Sequence, residues 1–218
     1  MAAETLSEQM LRENAAVFEA MVNHRFVRDI EQDRLDARVF ERYLVYEGAF
    51  VETAISIFAY AAAKAETMSQ KRWLIGVLDA LANQQIAYFE RTFAARDIDP
   101  STYALDPPEV RAFRTGMLDI ARLGDFLDIL AAMFAAEWMY WTWSKRAAAT
   151  AISDSLLKEW VAMHADEAFA AQALWLKAQL DEAGHVLSAS ERSRLSLVFG
   201  EVQRLEIAFH DAPYGRND

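Results

Sequence analysis

Three carboxylates in this chain each stand about one helical turn from two ring-bearing side chains. Glu47 has Tyr43 before it and Phe50 after it, with Tyr46 and Gly48 adjoining; Glu137 is followed by Tyr140 and Trp141, and Glu206 by Phe209 and His210. Residues three or four apart share a helix face, so each acid is expected on an apolar surface. A carboxylate among rings has its ionised form disfavoured unless donors compensate, and can then act as an acid near neutrality. Several such acids with flat rings between them suit recognition of a nitrogen heterocycle, the acids bonding its amine and ring nitrogens and the rings stacking on its faces. The competing reading is structural: each Glu pairs with an Arg or a Tyr hydroxyl, and the rings are ordinary core. Gly48 beside Glu47 is read as permitting close helix packing.

Other chemistries are poorly supplied. With no Cys, the chain has no thiolate nucleophile, no disulfide and no thiolate metal site. Its four His are His24, His164, His185 and His210, none of which forms an i, i+4 pair. No metal site and no cofactor are expected. A net charge of -11 opposes a polyanionic partner, so nucleic acid is not expected to bind.

The elements that must hold these residues are helices. Only 7 Gly and 4 Pro occur in 218 residues, 54% of which are hydrophobic, which predicts one all-α domain over residues 1–218. Apolar periodicity predicts helices over residues 6–22, 36–64, 69–94, 108–123, 126–148, 154–182 and 188–209. The second is apolar on more faces than a surface helix needs and is placed centrally. Pro100, Pro107 and Pro108 mark a loop over 97–108, Pro108 suits a first helical turn, Gly124 and Asp125 mark a stop and a cap, Ser188 with Glu191 reads as a capping box, and Pro213 ends the last helix. The start lacks a charged leader followed by an apolar run, and apolar stretches are interrupted throughout, so no membrane segment and a cytoplasmic location are expected.

Five segments carry a family likeness. They are His24-Arg25-Phe26-Val27; Phe40 to Val51; Phe134-Ala135-Ala136-Glu137-Trp138-Met139-Tyr140; Trp160 to Phe169; and Leu205-Glu206-Ile207-Ala208-Phe209-His210-Asp211-Ala212-Pro213-Tyr214. Together they resemble the thiaminase II (TenA) family over nearly the whole chain, which implies a heme-oxygenase-like helical bundle. By this resemblance Glu206 protonates a pyrimidine ring, Glu47 holds the exocyclic amine where the family has Asp, and Phe50 stacks. Tyr46, Tyr140 and Phe209 would complete the substrate-binding set. Arg25 replaces the usual Pro. Ala136 stands where the family has its nucleophilic Cys, Gly116 and His164 where it has Tyr.

The resemblance implies hydrolysis of a C–N bond in a thiamine-related aminopyrimidine, either loss of ammonia from an aminomethyl pyrimidine or deformylation of a formylamino one. Cys-free members carry a glutamate in this part of the pocket, and Glu137 is the candidate here. Glu137 or His164 would activate water. Two alternatives stay open: a non-catalytic binder of a pyrimidine or other flat ligand, and a metal-dependent oxidase of the same fold. The family likeness also implies a homo-oligomer, tetramer or dimer.

Overall fold

The computed structural model describes residues 4–215. They form eleven α-helices: α1 (Leu6–Glu13), α2 (Ala15–Val22), α3 (Arg25–Glu31), α4 (Ala37–Lys64), α5 (Met68–Asp79), α6 (Ile86–Arg96), α7 (Pro108–Leu123), α8 (Phe126–Ala148), α9 (Ser155–Ala165), α10 (Glu167–Gly184) and α11 (Ala189–Asp211). A π turn, Ala80–Gln85, joins α5 to α6, and short 3-10 turns occupy Pro100–Thr102 and Ala212–Tyr214. No strand occurs among the described residues.

Helix starts follow side chains that accept the first free amides. His24 Nδ1 accepts from Phe26 N at 3.2 Å, and Asp36 from Arg38 N at 2.8 Å. Ser188 and Glu191 form the expected reciprocal cap. Three predicted helices are each divided. Residues 6–22 break at Asn14, whose amide donates to Met10 O and to Ser196 O and Oγ. A Cβ on Gly200 would lie 2.1 Å from Asn14 Oδ1, so only glycine lets α11 come this close to the break. Residues 154–182 break at Asp166, which accepts from Phe169 N and restarts the chain as α10. Residues 69–94 are interrupted by the π turn, and the first helix of that segment starts after Thr67, which forms a capping box with Gln70. An intrahelical cap is compatible with either a continued or a broken stripe, which is why periodicity alone ran through these points.

The chain divides into two compact units, one from Met1–Arg34 and Leu127–Ile207, the other from Leu35–Phe126 and Ala208–Asp218. In the first, α1 lies against α10, where Asp181 accepts from Ser7 N at 2.9 Å and from Lys177 at 2.7 Å. Phe199 of α11 packs against Phe18 of α2 and Phe134 of α8, and Trp143 of α8 stacks on Trp160 of α9 with centroids 5.5 Å apart. Arg194 pairs with Asp128, joining α11 to the start of α8.

The second unit is built on α4, which packs against α5, α6, α7, the π turn and Ala212–Tyr214. Of the described helices only α4 is long and apolar enough to cross a membrane, and more than half of that stretch is buried inside the protein, as a central helix requires. Gly48 serves packing: a Cβ there would lie 3.1 Å from Phe93 Cζ and 3.2 Å from Phe89 Cδ1 of α6. At its far end Lys64 Nζ donates to Ala121 O at 2.7 Å and Gly124 O at 2.6 Å, placing a cation on the carbonyl end of α7.

Replacing Lys64 with Met removes those charge-assisted bonds while keeping the apolar stem. Lys64→Met is expected to lower unfolding stability by about 1–2 kcal/mol, read as a shifted urea midpoint with an unchanged slope.

Candidate functional site

In the α4 unit, Glu47 is buried at 8% exposure, between Tyr43 one turn before it and Phe50 one turn after. Phe209 lies 6.0 Å from Tyr43 and 6.4 Å from Phe50, ring centroid to centroid. Phe113 of α7 closes the cluster, 4.6 Å from Phe50 and 4.9 Å from Phe209. The acid therefore shares a helix face with two rings that meet the same third ring. Tyr46 is also buried, but one residue along a helix turns a side chain by roughly 100°, and Tyr46 is not among the rings in contact with Phe209.

Phe113 was not singled out from the sequence. Its signal is the Val110, Phe113, Met117 stripe of α7, all three buried. Gly116, one turn further on, offers no side chain, so the ring on this face comes from Phe113.

In the other unit, Glu137 is half-buried on α8 and its Oε1 accepts from Gln172 Nε2 of α10 at 2.8 Å. Tyr140, one turn on, has its ring 5.1 Å from the ring of His164. His164 is 5% exposed and packs on Trp160 at 4.4 Å and Phe169 at 4.9 Å. Its Nδ1 lies 2.8 Å from the carbonyl of Trp160. A carbonyl only accepts, so Nδ1 carries the hydrogen and Nε2 presents a lone pair. Burial pushes the imidazole pKa down to about 4, against the opposing pull of the Trp160 carbonyl and the Asp166 charge, so the ring is neutral at pH 7.

Glu206 is 1% exposed on α11. One turn earlier the fully buried Gln203 donates from Nε2 to Ala135 O at 2.7 Å, which brings α11 against the turn of α8 that carries Ala136, Glu137 and Tyr140. Neither Gln172 nor Gln203 was singled out from the sequence. An amide is informative only when its partner is known, and both partners lie far away along the chain.

Among the described residues no group of three or more His, Asp or Glu is placed to hold a metal ion. In the α4 unit, one buried acid stands on a face with phenylalanine rings that can stack on a flat ring; in the other unit, Glu137 meets an amide and a neutral imidazole lies against a phenol, groups that can donate and accept.

The model of the TENA/THI-4/PQQC family matches residues 13–216, and the chain belongs to that family. It is similar to the aminopyrimidine aminohydrolase of Halalkalibacterium halodurans, 27% identical over 206 residues that cover 91% of this chain and 90% of that protein. Among solved structures, a TenA homologue from Pyrococcus furiosus superposes with a TM-score of 0.87 at 21% identity, covering 96% of this chain and 100% of the other. A TenA family transcription regulator from Silicibacter sp. TM1040 also gives 0.87, at 24% identity and 97% of each chain. The all-α fold is the one these TenA proteins share.

The His164 imidazole makes a measurable contribution to acid sensitivity. Its folded pKa of about 4 lies below the ordinary 6.5, so the unfolded chain binds a proton first as pH falls. Its contribution to stability is full above about pH 6.5 and is lost progressively between there and about pH 4, roughly 3 kcal/mol in all. His164→Gln is expected to flatten the fall in urea-unfolding free energy over that interval, and an unchanged profile would refute the assignment.

Proposed function

We propose that this protein is an aminopyrimidine hydrolase of thiamine salvage that works without a cysteine nucleophile. The observation that carries the reading is the similarity to the aminopyrimidine aminohydrolase over 91% of this chain. Membership of the TENA/THI-4/PQQC family supports it, as does the burial of two acids, Glu206 and Glu47. The substrate is a small pyrimidine carrying a ring amine and an aminomethyl group. Water displaces that aminomethyl nitrogen, so a C–N bond breaks, a C–O bond forms, and ammonia leaves.

In this scheme Glu206 is the acid that protonates a ring nitrogen and draws electron density into the ring that bears the reacting aminomethyl carbon. Glu47 accepts from the ring amine, and Phe50 and Phe209 stack on the ring. Glu137, steered by the Gln172 amide, receives the proton that the attacking water gives up. His164 is neutral, and burial resists its taking a proton. It therefore acts through Nε2 as a hydrogen-bond acceptor that orients water or amine, with Tyr140 beside it. The same reading takes the protein as cytoplasmic and homo-oligomeric.

Purified protein is expected to release ammonia from an aminomethyl aminopyrimidine, and less readily formate from the formylamino compound. Glu206→Gln is expected to lower kcat by about 10²–10⁴-fold while keeping the ligand-dependent rise in melting temperature. Glu137→Gln is expected to lower kcat with KM little changed. Melting shifts without any product in the wild-type protein would replace this reading with that of a pyrimidine-binding protein.

A further inference from the structure

Gln203 has a buried polar atom that the folded chain leaves unanswered. The side chain is fully buried on α11, and its Nε2 donates to the carbonyl of Ala135. Because a carbonyl can only accept, this bond decides which end of the amide is which. The Oε1 is thereby turned away from Ala135, and it has no hydrogen-bond partner among the described residues. A buried acceptor in that condition destabilises the fold relative to one that is met.

The bond to Ala135 does not explain why an amide stands here. Ala135 lies in the middle of α8, where its carbonyl is served by the helix itself through the amide four residues on. An apolar side chain of the same length would fill the space without leaving an acceptor exposed to nothing. Placement supplies the reason. Gln203 shares a face with Glu206, one turn away on α11, and its amide touches the α8 residue that precedes Ala136 and Glu137. Gln203 thus stands one turn from Glu206 and against the helix that carries Glu137 two residues beyond Ala135, the two acids that the proposed function assigns to catalysis in this unit.

We propose that Gln203 is a substrate-contacting residue whose Oε1 accepts an N–H from the ring amine of the bound aminopyrimidine. The inference rests on the proposed function and sharpens it. A desolvated amine needs an acceptor for each N–H, and a neutral carboxamide supplies one without adding charge. It also selects for the amine: a ring bearing hydrogen or an acceptor in its place offers Oε1 no donor. The cost carried by the free protein is recovered only when the amine arrives.

Gln203→Met tests this, since the replacement is close in length and apolar. Titration of wild-type protein and variant with hydroxymethyl aminopyrimidine, and with the analogue lacking the ring amine, forms a cycle between side chain and ligand group. The variant without ligand is expected to melt at or above the wild-type temperature, because an unmet acceptor is gone. It should bind the aminated pyrimidine about tenfold more weakly, and the difference should vanish for the analogue. Gln203→Leu should repeat the pattern if Met repacks. Equal binding of the aminated ligand by variant and wild type, a defect that persists undiminished with the analogue, or a lowered melting temperature in both variants overturns the assignment of Gln203. Failure of the wild-type protein itself to bind either pyrimidine overturns the functional reading, and this inference with it.

Discussion

Polar side chains removed from water must be met by a partner or kept in place at a cost of several kcal/mol. This chain keeps several of them inside: Glu47, His164, Gln203 and Glu206 are all buried. They stay there because they are attached to helices whose other side chains bury large apolar areas, among them Trp143, Trp160, Phe134, Phe199 and Phe209. His164 shows the balance at one residue. Three rings surround it, one backbone carbonyl fixes its tautomer, and the remaining nitrogen keeps a lone pair. The packing energy of the rings is what allows a polar atom to be kept out of water.

That arrangement demands helices with well-defined ends, because a slipped register would move an acid off its apolar face. The ends are set by side chains rather than by composition. Asp36 and Asp154 accept the first amides of α4 and α9, and Asp166 does so for α10 within a stretch whose periodicity runs straight through. At the other end of α4, Lys64 gathers the last carbonyls of α7. Asn14 breaks α1 from α2 by holding Ser196 of α11, and Gly200 leaves it the room.

The departures from the family pattern noted in the sequence have physical counterparts. Where Gly116 lacks a ring, Phe113 on the same face of α7 contacts Phe50 and Phe209. His164 presents its Nε2 as an acceptor, because Nδ1 is committed to the Trp160 carbonyl. Glu137, next to Ala136, is held by Gln172.

Composition and periodicity were enough to read an all-α chain, the central position of α4 and the acid-bearing faces of α4, α8 and α11, because helix periodicity is local and each turn repeats the same geometry. The residues that answer those acids were not legible. Gln172 meets Glu137 from 35 positions away and Gln203 meets Ala135 from 68, and no spacing rule connects side chains on different helices. The neutral state of His164 likewise depends on how completely other segments exclude water from it. Sequence by itself determined which residue types lie on which helix face; tertiary structure decided which of them meet, how dry they are, and which oxygen is left without a donor, since desolvation and hydrogen bonding between distant segments arise only when the helices pack.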